Sequence, residues 1–120
     1  MIPGAYKIES FVEGDGWGGI PSLTIKVNGV TPASPIESAE ILMCLNNEVE
    51  PSTAVEISTA NEKLTLVSAE GWELSAPDAV EAGLIEGEWL MQIKIKPVGG
   101  ILKTYISDTF KVLKTVKKPA

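Results

Sequence analysis

The side chains equipped for acid–base chemistry in this sequence are sixteen carboxylates and ten lysines; there is no histidine and no arginine. Histidine general acid–base catalysis, histidine-containing metal sites and arginine clamps on phosphate or carboxylate are therefore excluded within the chain. Cys44 is the one cysteine, so there is no internal disulfide and no multi-cysteine zinc site. A nucleophilic cysteine needs a base to form its thiolate. Lysine or a terminal amine remains as a base in principle, but no spacing recommends one, and Cys44 between Met43 and Leu45 reads as a buried small apolar residue of a strand. Two carboxylate pairs have a spacing that general acid–base work or glycoside hydrolysis could use: Glu86 and Glu88 flank Gly87, and Glu48 and Glu50 flank Val49. Both fall at loop–strand junctions among solvated charges, and no catalytic residue is assigned.

The segment Gly14-Asp15-Gly16-Trp17-Gly18-Gly19 is the most conspicuous local feature. A phosphate cradle would need a helix N-terminus after it and usually a Lys-Ser/Thr pair. A strand follows Pro21 instead, so the segment reads as a turn with Trp17 at one end of the fold. Calcium needs several oxygens from one compact loop; Asp15 is the only acid here, and no metal or cofactor is expected. Of the three tryptophans, Trp72 and Trp89 are in phase with Leu74 and with Met91 and Ile93, which places them in the core. Trp17 remains as a loop-tip contact, and as the one aromatic a sugar ligand could stack on.

The net charge of −6 is unevenly distributed: residues 1–90 hold fifteen acids and three lysines, whereas residues 91–120 hold seven lysines and Asp108 alone. An acidic chain is poorly suited to binding nucleic acid through phosphate contacts. The basic end has three readings: a hairpin that neutralises acidic strands beside it, a docking surface that meets an acidic face of another copy or partner, and a basic tail for DNA. The docking reading rests on Lys111, Lys114, Lys117 and Lys118.

The elements that would position these residues follow from alternation at period two. Trp89, Met91, Ile93 and Ile95 point one way and Glu88, Gln92, Lys94 and Lys96 the other; Leu23, Ile25 and Val27 alternate likewise, as do Tyr6, Ile8 and Val12 near the start. Ala39 to Leu45 is apolar on both faces at its centre, as a central strand is. Shorter strands are expected at 53–58, 63–67 and 72–74. A last strand over 101–116 has Leu102, Thr104, Ile106, Phe110 and Val112 inward, interrupted by a bulge or bend at Ser107-Asp108-Thr109. Asn28-Gly29 and Gly99-Gly100 are tight-turn dipeptides. A short connecting helix is expected over 75–82, with Ser75 as cap and Pro77 and Asp78 in its first turn. The sum is an all-β fold, a single antiparallel β-sandwich of seven to eight strands, Ig-like or jelly-roll-like, over residues 1–116, with a polar C-terminal tail at 117–120. At 120 residues and 44% apolar composition this is one globular domain. No apolar run reaches the roughly 18 to 20 residues that span a bilayer, and Met1-Ile2-Pro3-Gly4 has neither the charged nor the apolar region of a signal peptide.

This layout resembles small proteins of bacteriophage and prophage tail and baseplate modules, including the Ig-like N-terminal domain of phage baseplate upper proteins. The similarity is carried by Gly4-Ala5-Tyr6, Gly14-Asp15-Gly16-Trp17, the strand Ala39–Met43, the segment Val55–Leu66, the stretch Ala79–Trp89, and Gly99-Gly100 through Phe110. Asn61-Glu62 in place of an Asn-Gly turn departs from the pattern, as does the Gly16–Gly19 stretch. The resemblance implies a sandwich fold, no catalytic residue, and a structural role in a tail, baseplate or tail-fibre attachment. Other virion proteins or further copies of the chain would be its partners, and the virion or the host cytoplasm its location. A carbohydrate- or receptor-binding module is the alternative expectation.

Overall fold

A computed structural model describes residues 4, 11–12, 19–46, 55–76 and 84–115 of the chain. Eight strands form: β1 (Phe11–Val12), β2 (Ile20–Thr24), β3 (Ile36–Leu45), β4 (Val55–Ser58), β5 (Thr65–Ser68), β6 (Glu73–Ala76), β7 (Gly87–Pro97) and β8 (Lys103–Leu113). They make a five-stranded sheet in the order β1-β8-β7-β3-β4 and a three-stranded sheet in the order β2-β6-β5. The two sheets share one apolar core, so the fold is a β-sandwich. β2 to β8 pair antiparallel throughout, while the two-residue β1 lies parallel to the end of β8, a departure from a purely antiparallel fold.

The alternation in β3 and β7 is realised residue by residue. Ala39, Ile41 and Met43 stand opposite Ile95, Ile93 and Met91 in the ladder, and all six are buried. This double row is the floor of the core. Trp89 lies over Phe110 with ring centroids 6.5 Å apart and planes 19° from parallel, and its indole N–H donates to the Ile85 carbonyl at 3.0 Å. The opposite layer supplies Ile20, Leu74 and Ala76, with Ile25 and Leu64 from the adjoining loops.

Three details differ from the expectation, each for a tertiary reason. Among the described residues there is no helix: Ser75 and Ala76 belong to β6, and residues 77–82 lie outside the described set. Ser75 reads as a helix cap in isolation, but its hydroxyl donates to the Pro21 carbonyl at 2.8 Å, where a register shift in β2 disturbs the ladder. The bulge of β8 is not at residues 107–109, which pair continuously with Leu90, Met91 and Gln92; it falls at Tyr105, where Ile93 faces Ile106 but Lys94 faces Thr104. Leu102 and Thr104 are therefore not inward residues. The extra residue reverses the phase before it, turning Tyr105 and Lys103 to the inner side of the sheet. Ile106, Phe110 and Val112 are buried as expected, and Asp108, between them, occupies an inner-face position opposite Met91.

The turns follow the dipeptides. Val27 and Val30 bridge across Asn28-Gly29, whose φ values of 53° and 77° are the pair that a two-residue hairpin of the matching twist needs. A Cβ on Gly29 would meet nothing within 4 Å, so a substitution there is opposed by backbone conformation alone. Gly29→Val is expected to cost about 1–2 kcal/mol, read as a lower midpoint in thermal unfolding, whereas Asn28→Gly should leave the midpoint nearly unchanged. Gly99 has φ 76°, and the Gly100 N–H donates to the Pro97 carbonyl at 3.0 Å, which closes the β7–β8 turn.

Candidate functional site

Loops 25–35, 69–72 and 98–102 gather at the end of the sandwich where β3 begins and β7 ends. Three long-range hydrogen bonds join them: Ile36 N–H to the Ala69 carbonyl at 3.0 Å, Val98 N–H to the Pro35 carbonyl at 2.9 Å, and the Trp72 indole N–H to the Ser34 carbonyl at 2.8 Å. Trp72 is fully buried and meets the Tyr105 ring edge to face, with centroids 5.1 Å apart and planes at 72°. The bulge in β8 is what brings Tyr105 to this contact.

Above the aromatic pair runs a trough. Its larger part, about 480 Å³, is lined by Val27, Val30, Pro32, Ala33, Tyr105 and Lys103, with Thr31 at its side. It continues past Pro32, Ala33 and Tyr105 into a part of about 260 Å³ along Ser34 and the Pro97–Gly100 turn. The turns beside it expose large apolar side chains: Val30 is 66% exposed, Ile101 68% and Val98 51%, whereas Leu102 lies on the outer face of the large sheet beside Ser38, Glu40 and Lys96. Contiguous exposed apolar side chains of this kind mark contact surfaces on soluble folds.

Lys111 and Lys114 are exposed, but the strand ladder sets Lys111 opposite Glu88. Two further lysines of the basic segment are similarly matched. Lys94 faces Glu40, and Lys96 forms an ion pair with Glu37. These placements are those of a basic hairpin laid beside acidic strands. Trp17, Lys117 and Lys118 lie outside the described residues, as do Glu48, Glu50 and Asp15. Glu86 and Glu88 are both exposed, and Glu88 accepts a hydrogen bond from the Asn46 amide at 2.8 Å. Neither carboxylate lines the trough. Trp72 and Trp89 are buried, as their phase predicts, and offer no ring face to a sugar. Cys44 is half-buried in β3. Among the described residues, no three Asp, Glu or Cys side chains come together as metal ligands, and no helix is long and apolar enough to cross a membrane.

Strand edges are the other natural contact sites of a sandwich, and here β4, β5 and β2 each carry a feature that discourages strand addition. At β4 the Asn61 side chain lies along the outer edge: its Oδ1 accepts from Ser58 N–H at 2.9 Å and its Nδ2 donates to the Glu56 carbonyl at 2.9 Å. Leu64 N–H takes the Ser58 carbonyl at 3.2 Å. The Asn61 amide thus makes the two bonds that one residue of an added strand would make. β5 is four residues long and carries a register shift at Val67; β2 carries Pro21, which has no N–H to offer a neighbour.

No protein-family model matches the chain, and no curated protein matches it. A comparison with solved structures finds similarity to the crystal structure of CopC from Methylosinus trichosporium OB3b, at 13% identity over 84% of this chain and 97% of that one, with a TM-score of 0.45. That degree of likeness assigns no ligand, partner or activity. The comparisons overturn the resemblance to phage tail and baseplate proteins, of which they carry no sign, and the expected virion location goes with it. The motifs behind that resemblance are turns and alternating strands, which many unrelated sandwiches share.

Proposed function

We propose that the chain is a non-enzymatic docking module that holds a protein partner by the loop end of its sandwich. The observation that carries this reading is the placement of Val30 and Val98 on the two parts of the trough, both of them substantially exposed, with exposed Ile101 next to Gly100 of its lining. Fully burying one such side chain contributes about 1.5–3 kcal/mol, so a partner covering several of them gains a useful part of a docking energy from this end alone. The features of the β2, β4 and β5 edges favour side-chain contact over strand addition there. The basic hairpin contributes less than its charge suggests, because Glu37, Glu40 and Glu88 already lie beside its lysines.

Photo-cross-linking in the source cell tests the reading. A benzophenone side chain at position 101 is expected to form a discrete adduct with another protein, and the same group at position 111 is not. Val30→Asp, which sets a charge among the apolar side chains, should weaken association at least about tenfold and remove the adduct without lowering thermal stability. An adduct that survives Val30→Asp, or no adduct from position 101, would overturn the proposal.

A further inference from the structure

The trough mixes apolar side chains with the polar residues Thr31 and Ser34, and it carries one charge. Among the described residues lining its larger part, Lys103 is the single charged side chain. Its place follows from the bulge at Tyr105, which sets Lys103 opposite the buried Ile95 on the inner side of the sheet. Being the first residue of β8, it reaches the open end between the sheets, beside the Val27–Val30 hairpin. Lys94, Lys96 and Lys111 stand beside carboxylates of their own chain; Lys103 faces isoleucine and has no ion-pair partner among the described residues. A cation at the rim of such a trough is complementary to a carboxylate next to an apolar group.

We infer that the trough takes an extended acidic–apolar segment of a partner protein, with an aliphatic side chain seated between Val30, Pro32 and Tyr105 and an adjacent Asp or Glu carboxylate accepting from the Lys103 ammonium. This rests on the docking reading and names the chemistry of its partner. The larger part of the trough falls in the range of about 300–1,000 Å³ typical of ligand sites, and its continuation along the Pro97–Gly100 turn suits a chain that runs on in both directions. Val27, Val30, Pro32 and Ala33 supply the aliphatic side of the larger part, and Tyr105, the one ring lining that part, is already engaged edge to face by Trp72.

Selection of ribosome-displayed random heptapeptides on the full chain is the test. Enriched sequences are expected to carry an aliphatic residue beside Asp or Glu. A synthetic peptide of that composition should bind Lys103→Gln about three- to fivefold more weakly, with a flatter salt dependence, and Lys103→Arg nearly as well as the parent chain. Enriched peptides without acids that are still lost in Val30→Asp would overturn the acidic specificity and leave the docking surface standing. No enrichment overturns the inference, and the fate of the docking surface is then read from the cross-linking experiment. Concentration-dependent dimerisation of the parent chain that Val30→Asp abolishes would make the occupant a second copy and likewise overturn it.

Discussion

Replacing Trp72 with alanine is expected to remove about 3–5 kcal/mol of folding stability, measured as a fall in the denaturant midpoint at unchanged slope. Trp72 is fully buried, so the transfer free energy of a large side chain is lost together with the packing around the cavity left behind. It also joins the layers, through its indole N–H on the Ser34 carbonyl, its backbone carbonyl on the Ile25 N–H and its ring on Tyr105. Trp72→Phe separates these contributions. It keeps most of the apolar area but leaves the Ser34 carbonyl without its donor, at a cost below the ~1–3 kcal/mol of a fully buried group because Ser34 is exposed to water. The backbone adds a further discriminator: Trp72 has φ 54°, a conformation that alanine also resists and glycine adopts freely. Trp72→Gly should therefore be no less stable than Trp72→Ala, the reverse of the order in an ordinary strand. A loss below about 1.5 kcal/mol for Trp72→Ala would show that the loop end is not built on this residue.

The second large effect is expected at Asn61. Asn61→Ala uncovers the Ser58 N–H and the Glu56 carbonyl on the outer edge of β4, at about 1–3 kcal/mol for each group left unsatisfied and less where water reaches it. A free edge is also a template for pairing, so the variant should form concentration-dependent dimers in sedimentation velocity runs that the parent chain does not form through this edge. Asn61→Asp refines the test. One oxygen still accepts from Ser58, but the atom facing the Glu56 carbonyl is no longer a donor, so stability should fall although the size of the side chain hardly changes. If both variants kept the parent's stability and sedimentation, the edge would not depend on this amide.

Where the side chains themselves impose a period, the fold is legible from sequence. The alternation through Trp89, Met91, Ile93 and Ile95, the doubly apolar centre of β3 and the Asn28-Gly29 hairpin are local patterns with local causes. The bulge at Tyr105 is not local. Leu102, Thr104 and Ile106 alternate without interruption, and only the demand of Trp72 for an aromatic neighbour shows that the phase must break. Ser75 misleads in the same way, because the carbonyl it binds belongs to Pro21, 54 residues away. The candidate site was least legible of all. Val30, Val98 and Ile101 have the composition of interior residues, and only the turns that carry them show that they stay outside. Lys111 was visible as a charge; its opposition to Glu88 depends on a register that no single sequence prints.

The three hydrogen bonds that meet at residues 34–36 have a kinetic meaning as well as a structural one. Each joins segments that are distant along the chain, so the loss of one leaves the loops held by the others, and this end should open less readily than loops tethered singly. A partner docking there as proposed would meet a surface held by these bonds and order few side chains on arrival. Differences in affinity among partners of such a surface lie in how long they stay rather than in how fast they arrive.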